Sequence, residues 1–158
     1  MLTQKRLFAV YCIDSSSLIN LKPYRKDIFP TIWERLEVMI NNEEIISPLQ
    51  AYDEIKIGKD EIHSWCKKHK KMFKDINQCQ MQKIQDVKKY YENIYWRNEI
   101  NKTVPWADPW IIALSICEDA IIVSDEKNAP NKIPFIASAF GIKCLKLLDF
   151  FKEIGIRY

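Results

Sequence analysis

The chain has 158 residues, 47% of them hydrophobic and 12% aromatic, with 24 Lys and Arg against 21 Asp and Glu for a net charge of +3. That is enough for one α/β domain with its own core and short for two, and it excludes an intrinsically disordered chain. Only 3 Gly are present and neither GxGxxG nor GxxxxGK[ST] occurs, which disfavours dinucleotide-binding and P-loop NTPase classes.

The 5 Cys are odd in number, and no CxxC appears. Cys12, Cys117 and Cys144 lie in apolar runs, the setting of buried reduced thiols, so neither a disulfide framework nor a structural zinc site is expected. Lys5 and Arg6 precede only a short apolar strand, not a signal peptide, and no apolar stretch approaches the ~20 residues of a membrane span. A cytoplasmic protein is expected, with residues 1–158 as a single domain.

In chain order, Leu7 to Ile13 reads as a central strand, and the serines that follow open a helix with Ser15 or Ser16 as N-cap. Lys22-Pro23-Tyr24 breaks it. Ile28 to Ile40 carries apolar residues at helical spacing, with Pro30 in the first turn. Ile45 to Pro48 is a short strand, and a helix from Ala51 ends near Gly58. Asp60 caps a helix from Glu61 to Lys70 that turns Ile62, Trp65 and Cys66 inward; Met72-Phe73 is an extended link. Gln78 to Arg97 reads as one long helix with Met81, Ile84, Val87, Tyr91, Ile94 and Tyr95 on one side. After a loop, Asp108 precedes Pro109 as the N-cap of a helix from Trp110 to Cys117. Ala120 to Ser124 is a strand, Phe135 to Phe140 a helix closed by Gly141, Ile142 to Leu145 a strand and Leu148 to Glu153 a helix. Strands alternate with helices throughout, so the fold class is α/β with a central, mostly parallel sheet.

This order gives four acidic positions a common setting. Asp14 and the pair Asp125 and Glu126 end strands; Glu54 and Asp108 stand in first helical turns. In a parallel sheet with right-handed crossovers, strand ends and the helix starts after them gather on one edge. Carboxylates gathered there repel unless a cation neutralises them, and hard divalent ions with oxygen ligands, Mg²⁺ or Mn²⁺, do so. Such ions leave coordination sites for a phosphodiester oxygen and a nucleophilic water.

With those residues in place the chain resembles the PIN domain nuclease superfamily. Val10-Tyr11-Cys12-Ile13-Asp14-Ser15-Ser16 resembles its opening strand, acid and hydroxyl residues; Glu54 stands where the family has a helix-borne Glu. Ala107-Asp108-Pro109-Trp110-Ile111-Ile112-Ala113-Leu114 resembles the helix opened by a third acid, and Ile122-Val123-Ser124-Asp125-Glu126 the strand that delivers the last. The end of the chain, Leu147-Leu148-Asp149-Phe150-Phe151 followed by Gly155-Ile156-Arg157, is similar to that of one PIN-like branch.

The resemblance implies a three-layer α/β/α sandwich. It also implies a metal-dependent endoribonuclease of the VapC toxin kind, using Mg²⁺ or Mn²⁺ on RNA and held inactive by a co-encoded antitoxin. Asp14, Glu54, Asp108 and Glu126 would be the catalytic and metal-binding acids, with Asp125 kept beside Glu126, and Ser16 and Ser124 supporting. A homodimer is open to such a protein. The alternative is a non-catalytic PIN-like module that binds RNA or protein. A flavodoxin-like signalling domain is weaker, because no well-placed late Lys follows a strand with its Thr or Ser partner. Lys67, Lys68, Lys70 and Lys71 form a basic run, read either as a solvated helix face or as a phosphate-binding rim. His63 and His69 lack the spacing of a zinc helix, and Trp96, Trp106 and Trp110 read as core or interface rather than base-stacking residues.

Overall fold

A computed structural model describes residues 8–156. Leu7, Lys5, Arg6 and Arg157, which figure in the sequence patterns above, lie outside the described residues. Five short strands form one parallel sheet: β1 (Tyr11–Ile13), β2 (Ile45–Pro48), β3 (Phe73–Lys74), β4 (Ile121–Val123) and β5 (Cys144–Leu145), in the order β3-β2-β1-β4-β5. The central strands are mostly apolar because both faces are covered: Tyr11, Cys12, Ile13, Ile45, Ile46, Ile122 and Val123 are all buried. Helices flank the sheet in a three-layer α/β/α arrangement, as expected.

The first half supplies α1 (Ser15–Ile19), α2 (Pro30–Asn41), α3 (Leu49–Ile55) and α4 (Glu61–Lys68). The second supplies α5 (Gln78–Lys88), α6 (Asn93–Ile100), α7 (Asp108–Glu118), α8 (Ile133–Ser138) and α9 (Leu147–Glu153). The helix α7 is apolar nearly all round, and it lies against β1, β2 and β4 while α5 and α8 pack on it. Gly141, at φ +67°, ends the α8 turn in the left-handed region open to glycine.

Four expectations are corrected. The long helix from Gln78 to Arg97 is two helices: Glu92 turns extended, and its backbone N–H donates to Asn131 Oδ1 at 2.9 Å. That break buries Tyr91 against Tyr95, Trp96 and Trp106 but leaves Met81 and Ile94 in solvent. The cap of α1 is Asp14, not Ser15 or Ser16, its carboxylate accepting from the Ser17 N–H. Asp108 is the first residue of α7 and makes no capping hydrogen bond, so its side chain is left for other work.

The fourth correction concerns the thiols. Cys79, in the first turn of α5, and Cys117, in the last turn of α7, form a disulfide across 38 residues. The close packing of α5 along α7 brings their Cα atoms to 6.1 Å, within bridging range. Cys12, Cys66 and Cys144 are free, and burial pushes their thiols up to about 12, about 12 and about 11, which makes them poor nucleophiles at neutral pH.

Candidate active site

The strand order reverses between β1 and β4: from β1 the chain builds outward to β2 and β3, then crosses back to β4 and β5. In open parallel sheets the crevice beyond the carboxyl ends of the two strands at such a switch is the usual ligand site. Asp14 follows β1 and Ser124-Asp125-Glu126 follows β4, so both segments open onto this crevice.

Asp14 is 3% exposed. Its Oδ1 accepts from the Ser17 N–H at 2.8 Å, its Oδ2 from Ser124 Oγ at 2.7 Å, and Ser16 Oγ donates to both oxygens at 2.9 and 2.8 Å. The supporting roles expected of Ser16 and Ser124 thus correspond to hydrogen bonds on the first acid. Even so, burial outweighs these donors and raises the Asp14 carboxyl above its ordinary range. Glu54, in α3, accepts from Ser15 Oγ at 3.0 Å and from the backbone N–H of Ala107. Burial first, then the charges of Asp14 and Glu126, pushes it up to about 7. The Ala107 bond ties α3 to the residue that precedes Asp108.

Asp108 is raised well above its usual value, by burial first and then by the neighbouring Glu126, Glu54 and Asp14. The charges of Asp14, Glu54 and Glu126 bear on Asp108, and those of Asp14 and Glu126 bear on Glu54, so acids from four separate segments lie around one crevice. Asp125, by contrast, faces away. Its Oδ2 accepts from Asn20 Nδ2 at 2.6 Å and its Oδ1 from the Leu147 N–H at 2.8 Å, tying the ends of α1 and β4 to the start of α9. Glu126 turns the other way and also accepts from the Ile133 N–H, at the start of α8, at 2.9 Å. Alternation along an extended chain separates the neighbours onto opposite sides.

Two residues beside the cluster are not marked by the sequence. Lys132 Nζ lies 6.0 Å from the centre of the Tyr95 ring, and Glu126 and Asp108 both help to hold its charge. The Tyr91 hydroxyl is buried without a hydrogen-bond partner among the described residues, and the charges of Asp108 and Glu126 bear on it. Neither carries a sequence signal, since Lys132 sits in a turn-rich link and Tyr91 falls in the middle of a helical pattern.

The basic run is not brought to the acids. Lys67 and Lys68 end α4 and Lys70 and Lys71 form the 3-10 turn after it, all at the surface, with Lys70 over the Tyr52 ring at 5.0 Å. The cleft that reaches Glu54 takes Asp60, at the other end of that helix. The aromatic residues Trp96 and Trp106 pack edge-on with Tyr91, and like Trp110 they are half-buried against the core.

Clefts flank the cluster on both sides. One of about 320 Å³ is lined by Glu54 with Ile19, Lys22, Ile57, Val104 and Pro105. The other, about 330 Å³, is lined by Ser124, Glu126, Asn128, Cys144 and Lys146. The four acids of the cluster offer oxygen donors, which suit a hard divalent cation better than zinc or copper. Among the described residues, however, no group of three or more His, Cys, Asp or Glu side chains is already drawn together as a metal cage. The chemistry of the four acids fits such an ion.

Fold and crevice define a parallel α/β protein with an acidic centre at its switch point. Residues 11–158 match the model of a domain family of unknown function, DUF4411, and the chain belongs to that family. No curated protein matches it.

Proposed function

We propose that this protein is a metal-dependent endoribonuclease of the PIN-like kind, acting as the toxin of a toxin–antitoxin pair. The observation that carries the reading is the convergence of Asp14, Glu54, Asp108 and Glu126, from four elements, on the crevice at the β1–β4 switch. Gathering four carboxylates destabilises the fold unless they serve a cation or a proton, so their convergence supports a site rather than a scaffold.

In this reading Asp14 and Asp108 hold Mg²⁺ or Mn²⁺ with Glu54 and Glu126. When bound, the ion supplies a polarised phosphate and an activated water. The chain's own contributions are separate. Ser16, Ser17 and Ser124 orient the Asp14 carboxylate. Ser15 and the Ala107 N–H orient Glu54. Lys132 adds a cation beside the acids, of the sign that would attract a phosphate. RNA is the proposed substrate, a co-encoded antitoxin the proposed partner and the cytoplasm the proposed compartment. No helix among the described residues is long and apolar enough to cross a membrane.

One observation favours a second reading, a non-catalytic binding module. Asp14 is already fully engaged as a helix cap, which a purely structural acid would also be. Incubating the purified protein with RNA pools in Mg²⁺, Mn²⁺ or chelator separates the two. Cleavage that needs the metal and is lost in Asp14→Asn supports the nuclease; intact RNA under every condition supports the module.

A further inference from the structure

Three of the four acids around the crevice have hydrogen-bond donors of their own. Asp14 takes the Ser16 and Ser124 hydroxyls and the Ser17 N–H, Glu54 the Ser15 hydroxyl and the Ala107 N–H, and Glu126 the Ile133 N–H. Asp108 is the exception. It opens α7 without a capping bond, and among the described residues no N–H or hydroxyl donates to its carboxyl; what it meets is another acid, Glu126.

A donor without an acceptor stands on the same side of the crevice. Tyr91, in the link between α5 and α6, is 4% exposed, and its hydroxyl is sealed from solvent with no hydrogen-bond partner among the described residues. Its ring is held on three sides: it stacks on Tyr95, centroids 6.2 Å apart at 16°, and meets Trp96 and Trp106 edge-on, each at 5.3 Å. Trp106 lies two residues before Asp108. On the other flank the Glu92 N–H donates to Asn131, two residues before the Ile133 N–H that holds Glu126. Tyr91 is thus clamped between the segments that position Asp108 and Glu126. After burial, the charge of Asp108 bears most on its hydroxyl, followed by that of Glu126. A buried donor left unmet costs stability, and folded chains satisfy nearly all of theirs. A phenol can donate and a carboxylate only accepts, so the two unmet groups are complementary.

We propose that Tyr91 is the positioning residue of Asp108: with a divalent cation in the crevice, its hydroxyl donates to the Asp108 carboxylate as the serines do to Asp14 and Glu54, a role that rests on the cation site of the reading above and not on RNA as its substrate. A carboxylate that gives one lone pair to a cation keeps others for such a donor, and donors of this kind orient the ligand and strengthen its hold on the ion.

The probe is Mn²⁺ alone, titrated calorimetrically into the full chain stripped of divalent ions. Tyr91→Phe, which removes only the hydroxyl oxygen, is expected to weaken Mn²⁺ binding about tenfold or more, while urea unfolding in EDTA shows no loss of stability. A hydroxyl with a merely structural role would do the opposite, lowering stability in EDTA and sparing the affinity. In crystals grown with Mn²⁺, the Tyr91 hydroxyl is expected within hydrogen-bond distance of an Asp108 carboxylate oxygen. Wild-type Mn²⁺ affinity in Tyr91→Phe overturns the role, as do destabilisation of that variant in EDTA, a Tyr91 hydroxyl bonded elsewhere or unbonded in the Mn²⁺ crystals, or no Mn²⁺ binding by the wild type. Metal-dependent RNA cleavage together with an unchanged Mn²⁺ affinity in Tyr91→Phe refutes the role and leaves the nuclease standing. Tyr91-dependent Mn²⁺ binding without cleavage of any RNA does the reverse.

Discussion

Glu54 offers the most direct measurement of the strain in the acidic crevice. Its carboxyl moves from an ordinary value of 4.5 in the unfolded chain to about 7 in the fold. A group whose folded value is raised stabilises the fold fully below the unfolded value and loses that contribution as pH climbs through the folded value. Wild-type stability without divalent ions should therefore decline between about pH 4.5 and pH 7. Each tenfold change in proton affinity is worth about 1.4 kcal/mol, so holding an ionised Glu54 at pH 8 costs about 3 kcal/mol, or about 2 kcal/mol allowing for its partial exposure. In Glu54→Gln nothing is left to ionise. The amide oxygen can still accept from Ser15, and one imperfect replacement of the Ala107 bond costs about 1 kcal/mol. The variant should thus be about 1 kcal/mol more stable than wild type at pH 8, and its advantage should vanish by about pH 5. Urea unfolding in EDTA at several pH values across that range checks this. A Glu54→Gln protein that is less stable than wild type at the alkaline end, or that keeps the wild-type pH slope, would show that Glu54 is an ordinary solvated acid and not part of a repelling cluster.

Asp14→Asn and Asp108→Asn should each lower metal-dependent RNA cleavage by at least about a hundredfold while the melting temperature holds or rises slightly, since each removes a charge the fold resists; full activity in either rejects its role. Reducing the Cys79–Cys117 bond, or Cys79→Ser, should lower stability by about 2–4 kcal/mol, because a closed loop of 38 residues constrains the unfolded chain; matching denaturation curves with and without reductant would contradict that. Tyr91→Phe deletes a buried hydroxyl that has no partner among the described residues, so it should leave stability unchanged or raise it by about 1 kcal/mol in chelator. A clear drop in thermal unfolding temperature would mean that the hydroxyl is engaged.

The parts of this fold legible in the sequence are those set by local pattern. Apolar runs such as Tyr11–Ile13 and Ile121–Val123, each closed by an acid or hydroxyl residue, announce buried parallel strands, and the acids at their ends can be assigned to one edge from the pattern alone. What is illegible depends on packing between distant segments. No Gly or Pro marks the break before Glu92, because it is made by Asn131 from 39 residues away. No spacing marks Cys79 and Cys117 as partners, because only the alignment of α5 along α7 brings them together. Lys132 and Tyr91 meet the acidic crevice for the same reason, and so neither can be chosen from its neighbours in the chain.

The two outermost strands, β3 and β5, are only two residues long. A sheet with such abbreviated borders offers almost no row of free backbone donors and acceptors on which another chain could add a strand. The protein is thereby guarded against sheet-to-sheet polymerisation. Any macromolecule that recognises it has to read side chains on helices and loops, and those surfaces are free to diverge without disturbing the parallel core.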